Sequence, residues 1–422
     1  MNMVSRSNEV CIHKDSIVSL KFTVTWKNES GRHQAIQYIE RFNVWRDMDL
    51  LPKSLIDDLI GHTVGKGQKH FFTAGDLVPA WQDSLKKTLP LDNIKSSSAD
   101  GERINPIAGR FYPAGMFSGI NDVYKGNMQP VRIVGIWEDK LVVDFNHPLA
   151  LEDISIQFEV MNILPATVET GGRCSDAIEM MLSNGTGMQL TYPRTQTEFF
   201  IDEKYERLDE EVDSVFYEQE RKVHHLDKYA RKEICDIYSS VIKSGDRVLD
   251  LMSSWESHIS EQLTGNHQTK SGTDKIHLSG LGMNAEELKS NPQLNDYIVH
   301  DLNTALPMPY EDELFDVVVC TASVEYLINP VAVFKDVYRI LKPGGKFILT
   351  FSNRWFPTKA IKLWSEIHDF ERIGLVAEYF RKSAWTGSID TLSSRGLARH
   401  IDDPHYDTTH ISDPVYMVCS EK

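Results

Sequence analysis

Cysteine is scarce in this chain. Its 422 residues hold five, Cys11, Cys174, Cys235, Cys320 and Cys419, an odd number, widely scattered and without CxxC spacing. That pattern argues against a disulfide framework or a thiolate metal site, and reduced thiols in a cytoplasmic protein are expected. The 15 histidines are dispersed too; only His224 and His225 adjoin, with no partner at ligand spacing, so no metal is expected. No apolar run approaches the roughly 18 residues of a membrane span. The opening MNMVSRSNEVCIHKDSIVSL lacks the apolar core of a secretory signal. Positive charge is short as well: 45 Lys and Arg face 61 Asp and Glu, a net −16. Such a deficit opposes phosphate binding by counterion release, so nucleic acid is not an expected partner, and without a spanning run neither is a membrane. A phosphate-cradling GxxxxGK[ST] loop is absent, as is any Ser-His-Asp or Cys-His constellation.

The remaining composition, 41% hydrophobic and 25% charged, is that of a soluble globular protein, and the length implies two or three domains. Residues 16–26 (SIVSLKFTVTW) and 154–163 (ISIQFEVMNI) alternate as half-buried strands do. PVRIVGIW (130–137) and KLVVDF (140–145) form a hairpin pattern around Glu138-Asp139. A short amphipathic helix is predicted over 54–65, and a long loop over about 85–109. Residues 16–165 therefore read as an antiparallel β domain. Residues 166–232 read as an acidic connector and cap; 202–220 alone holds nine carboxylates and two basic residues, the pattern of a solvated face.

From 233 to 422 the pattern changes. RVLDLM (247–252), KIHLSGLG (275–282), YIVHDL (297–302), FDVVVCTA (315–322) and KFILTFS (346–352) are apolar runs of strand length. Helical patterns at 284–290, 330–341 and 358–381 separate or follow them, and VYMVCS (415–420) is a last strand. Continuous apolar strands alternating with helices indicate a doubly wound parallel sheet covered on both faces. Ligands in such a sheet sit at the carboxyl ends of the strands.

The ordered motifs VLDLMSSW, GLGMN, DLN before LPMPYEDELFDVVVC, and VYRILKPGGKFILT resemble the class I S-adenosylmethionine-dependent methyltransferases over about 240–355. The resemblance implies a Rossmann-like domain, S-adenosyl-L-methionine as cofactor and an unidentified methyl acceptor. It implies cofactor contacts from Asp250, Met252, Ser253 and Ser254, from Gly280, Gly282, Met283 and Asn284, and from Asp301, Leu302, Asn303 and Thr321. Asp250 would orient the first loop or meet the methionine ammonium, and Asp301-Leu302 would flank the adenine. Two features depart from the family pattern. The first loop, Met252-Ser253-Ser254-Trp255, has no glycine, and Gly282 stands where an acid usually holds the ribose, leaving Asn284 or Glu286 as substitutes. Catalytic candidates are Glu325, Tyr326 and His224; substrate-side candidates are Tyr217, Arg221, Asn353 and Arg354. Each also has a plain structural explanation as a surface charge or packing residue.

VSLKFTVTWKNESGR (18–32), LLPKSLIDDLIGHTVGKGQKHFF (50–72) and above all VDFNHPLA within 130–163 resemble the SlyD-type FK506-binding proteins. That likeness implies a peptidyl-prolyl isomerase-like domain binding or isomerising prolyl peptides. Phe22, Leu51, Leu55 and Phe158 would form its proline pocket, with Asp47 or Asp49 as its acid. The family's chaperone insert has no visible counterpart in the diverged middle. Two combinations follow: a methyltransferase fused to an FKBP-like domain, or an isomerase or chaperone carrying a non-catalytic methyltransferase-like binding domain.

Overall fold

Alternation in the first apolar segment builds a strand with one buried face. In the computed structural model, β1 (Ile17–Asn28) buries Val18, Leu20, Phe22, Val24 and Trp26. The structure describes residues 10–29, 31–94, 105–121, 123–164, 174–193, 195–265, 275–383 and 385–422. β1 pairs antiparallel with β2 (Gly31–Asn43) and with β8 (Ile154–Leu164), and β3 (Gly67–Phe72) pairs with the outer edge of β8. The helix expected over 54–65 forms at Lys53–Leu59 and packs Leu55 and Leu59 under this sheet.

A second sheet lies between β3 and β8 in the chain. It contains β4 (Lys86–Pro90), β5 (Phe111–Pro113), β6 (Pro130–Trp137) and β7 (Lys140–Asp144), in the order β4-β7-β6-β5. Val131, Ile133, Leu141 and Val143 are fully buried in its own small core. Trp137 pairs with Lys140 across the two-residue turn, where Glu138 has φ 45°, the left-handed value that favoured hairpin turns require. The long loop expected over 85–109 is corrected in part, because β4 occupies its start; residues 95–104 lie outside the described ones.

The C-terminal half forms β9 (Arg247–Leu251), β10 (His277–Gly282), β11 (Asp296–Val299), β12 (Phe315–Thr321), β13 (Leu341–Phe351), β14 (Ile389–Arg395) and β15 (Val415–Glu421). Their order is β11-β10-β9-β12-β13-β15-β14; β9 to β13 are mutually parallel, and β15 is antiparallel to both neighbours. The chain runs outward from β9 to β11, then returns to β12 on the other side of β9. That reversal opens a crevice beyond the carboxyl ends of β9 and β12. The helix expected over 358–381 is two, Lys362–Glu366 and Asp369–Lys382, because His368 caps the second, its Nδ1 accepting from Phe370 N. No described helix is long and apolar enough to cross a membrane.

The halves share one sheet. β2, which the sequence pattern did not announce, pairs in parallel with β14, so eleven strands run continuously from β11 to β3. Gly31 permits the contact: a Cβ there would stand 1.8 Å from Ile389 O. His33 Nδ1 meets Thr391 Oγ1 at 2.9 Å, and the buried Arg110 donates to Glu371 at 2.9 Å on the 369–382 helix. The residues expected to form a proline pocket are core. Phe22 and Phe158 face each other across β1 and β8, each 1% exposed, and Leu51 and Leu55 pack beneath them. Asp47 is fully buried and accepts from Asn43 N and Ser175 N, so it closes a turn; Asp49 is exposed.

Candidate active site

β9 delivers Asp250 to the base of the crevice, where it is 3% exposed and accepts from Ser253 Oγ at 2.5 Å. Burial pushes its pKa up to about 7, against the hydroxyls of Ser253 and Ser257. The first loop then turns through Met252 at φ 61°. A left-handed residue with a side chain costs roughly 1–2 kcal/mol, and glycine would avoid that cost. His258 (φ 52°) and Ala322 (φ 45°) share this conformation, and all three line the cleft. Backbone strain of this kind collects at functional sites.

The glycine missing from the first loop is found on the neighbouring strand. A Cβ on Gly282 would lie 2.1 Å from Ser253 O, while Ser253 N donates to Leu281 O at 2.8 Å. The loop therefore lies directly on the end of β10. Ser254 Oγ donates to Glu287 at 2.6 Å, and Asn291 Nδ2 holds Ser254 O at 2.9 Å.

Of the expected cofactor residues, Asp250, Met252, Ser253, Ser254, Met283, Asn284, Asp301, Leu302, Asn303 and Thr321 line one cleft. Several are also committed elsewhere. Asn284 caps the 285–290 helix and donates to Tyr217 O, and Asn303 bridges Asp213 and Tyr326 O. The Thr321 hydroxyl joins Tyr238 and Thr350 in a buried chain. Gly280 lies inside the fold, where a Cβ would meet Leu294 at 2.6 Å. Gly282 supports the loop as described. Glu286 is exposed and pairs with Lys289.

Tyr217 and Arg221 reach the cleft; Arg221 stacks over Phe216 at 4.3 Å. Asn353 is exposed and Arg354 pairs with Asp413 outside the cleft, so those two substrate-side expectations are corrected. Tyr326 lines the cleft, its hydroxyl accepting from Phe356 N at 2.9 Å. Glu325 does not. It is 1% exposed behind Tyr326, its carboxylate unpartnered among the described residues, and burial pushes its pKa up to about 8.

His224 pairs with Glu256 at 3.0 Å and packs on Trp255. Glu256 also receives Arg231 and His258, each at 3.5 Å; burial lowers the His258 pKa to about 4. Sequence reasoning missed Glu256, His258, Arg231, His225 and Glu287. For Glu287 a signal existed: it stands one residue after Glu286 in the turn that Asn284 caps, and one helical step of 100° separates their faces.

The acidic segment is no free linker. Lys359, fully buried, donates to Glu211 O at 2.6 Å and pairs with Asp209 and Asp213. Arg207 donates to both Asp213 oxygens, and Asn303 holds the same carboxylate. Residues 202–225 thus form a strap along the cleft. Its Tyr217, with Tyr326, Phe356 and His225, makes one end aromatic; His225 stands edge-on to Phe356 at 5.1 Å.

Residues 276–349, spanning β10 to β13, match a family model described as a methyltransferase domain. Sterol 4-C-methyltransferase strm-1 of Caenorhabditis elegans is 50% identical over 42 residues, 10% of this chain and 13% of that protein. The chain thus spans about an eighth of the relative it matches. Among solved structures, a SAM-dependent methyltransferase from Aquifex aeolicus aligns at 14% identity and TM-score 0.30, covering 46% of this chain and 94% of that one. An S-adenosylmethionine-dependent methyltransferase from Mesorhizobium loti aligns at 13% and 0.27, covering 44% and 96%. The matched domain implies S-adenosylmethionine as cofactor. The cleft suits it: carboxylates for an ammonium and for hydroxyls, basic side chains near Glu256 for a carboxylate, and Met283 and Leu302 for a flat ring.

Proposed function

We propose that the chain is an S-adenosylmethionine-dependent methyltransferase whose acceptor is a small, largely apolar molecule. The observation that carries this reading is the switch-point cleft itself, where Asp250 and a strained first loop meet one aromatic end. When bound, the cofactor supplies an electrophilic methyl on a sulfonium. The protein's task is then alignment, which accounts for most of such a rate enhancement. Asp250, Ser254 and Asn303 fix the walls, while Tyr217, Tyr326 and Phe356 offer ring faces and exclude water at the acceptor end. An apolar acceptor suits those rings, and the sterol methyltransferase relative points the same way. The strap's carboxylates beside the cleft disfavour nucleic acid, and five unpaired thiols suit a reducing, cytoplasmic setting.

We assign the N-terminal unit a supporting role rather than a prolyl-peptide site, since Phe22, Leu51, Leu55 and Phe158 are committed to its core and β2 extends the methyltransferase sheet. Calorimetric titration of the full chain with S-adenosylhomocysteine tests the proposal. Saturable binding is expected; no binding at about millimolar ligand would overturn it.

A further inference from the structure

The end of β10 cannot offer a carboxylate to the cleft. The first loop lies on Gly282 so closely that a Cβ there would stand 2.1 Å from the Ser253 carbonyl oxygen. Yet a nucleoside cofactor presents two adjacent ribose O–H donors, and an ionised carboxylate, an acceptor only, is their natural partner. Five carboxylates line the cleft: Asp213, Asp250, Glu256, Glu287 and Asp301.

Their neighbours separate them. Asp213 is held by Arg207 and Lys359, and Glu256 by His224 and Arg231. Asp250 lies under the first loop, occupied by Ser253 and driven toward its neutral form. Asp301 and Glu287 have no ion-pair partner among the described residues. Asp301 follows β11, at the outer edge of the sheet. Glu287 follows β10, which lies between β9 and β11, and both its contacts are neutral donors: Ser254 Oγ and Arg221 N, each at 2.6 Å. Each oxygen retains a lone pair for a further donor.

We propose that Glu287, on the first turn of the 285–290 helix, receives the ribose hydroxyls of S-adenosylmethionine in place of a residue at the end of β10. The proposal rests on the cofactor reading above. It also gives Glu287 a second consequence: the same carboxylate holds the first loop through Ser254 and the strap through Arg221, so cofactor occupancy and strap position meet at one group.

The test compares two ligands on the full-length protein by calorimetry, S-adenosylhomocysteine and its 2′,3′-dideoxy analogue. The native chain is expected to prefer the hydroxylated ligand by about tenfold or more, in line with charge-assisted hydrogen bonds. Glu287→Gln should erase most of that preference, weakening the hydroxylated ligand at least about fivefold more than the dideoxy analogue. Asp301→Asn should leave the preference intact. Equal weakening of both ligands by Glu287→Gln, or an unchanged preference, would overturn the proposal. If Glu287→Gln misfolds by circular dichroism, Ser254→Ala serves, since it removes one donor to Glu287 and should alter the preference by about two- to threefold; no change there would overturn it. Failure of the native chain to bind S-adenosylhomocysteine would instead overturn the cofactor reading beneath it.

Discussion

The core under β1 and β8 and the cleft beyond β9 and β12 follow opposite rules. Phe22, Phe158, Leu55 and Val24 are all at most 1% exposed and pack apolar surface on apolar surface. Among the described residues up to 164, the one left-handed non-glycine is Glu138, in a hairpin turn that needs it. The cleft holds three such residues, Met252, His258 and Ala322, with a carboxyl near neutrality at Asp250 and an unpartnered one behind it at Glu325. Strain and poorly solvated charge persist only where surrounding structure enforces them. The contrast is the reason we propose that the cleft binds and the N-terminal core supports.

The sharpest challenge to that division is Phe158→Ala. As a pure core deletion it should cost about 3–5 kcal/mol of stability in denaturant unfolding, with S-adenosylhomocysteine affinity of the folded fraction unchanged. Prolyl-peptide isomerisation by the full chain should match the uncatalysed rate. A catalysed rate that Phe158→Ala abolishes would break the comparison, because the N-terminal half would then hold a site of its own.

Next in size is Glu325. Burial pushes its folded pKa up to about 8, above the 4.5 of a solvated glutamate, so its protonated form favours the folded state. That contribution is present below about pH 4.5 and is lost as pH rises through 8. Glu325→Gln should remove the dependence and stabilise the protein at pH 8 relative to the native chain by on the order of 3 kcal/mol. Parallel stability-pH curves for the two proteins would show that the carboxyl is solvated.

Asp250→Ala should weaken S-adenosylhomocysteine by about ten- to a hundredfold in calorimetry, because it removes both a buried carboxyl and the anchor of Ser253. Unchanged affinity would displace the cofactor platform from β9. The smallest effect belongs to Met252→Gly. Relief of a left-handed side chain, offset by glycine's extra chain entropy, should raise stability by about 0.5–1 kcal/mol. A fall in melting temperature would mean that the Met252 side chain contributes more packing than its backbone costs.

Much of the framework was legible because strands and helices advertise themselves by local period. β6 matches its apolar run residue for residue, and β9, β10, β12 and β15 fall within a residue or two of theirs. β2 and β14 were not legible. GRHQAIQYIERFN and IDTLSSR carry too many polar residues to read as strands, and they form because each has a partner on both sides. In the cleft, the loops after β9, β10 and β11 were legible from their position after strand ends. Glu325 and Arg354 misled, because one residue of offset in a short turn decides whether a side chain faces the cleft or the core.

By itself the sequence determined the parallel sheet, its crevice and the loops that border it, since those depend on hydrophobic period and on chain order. Only the tertiary structure decided which cleft carboxylates are left without a cationic partner among the described residues. Whether Glu256 or Asp213 meets a cation depends on Arg231 and Lys359 arriving from other segments, and none arrives at Glu287 among the described residues. The same holds for Gly282, a missing acid in the sequence, whose hydrogen is required by the Ser253 carbonyl lying against it. Steric exclusion and charge pairing act through space between segments far apart in the chain, and no local pattern encodes them.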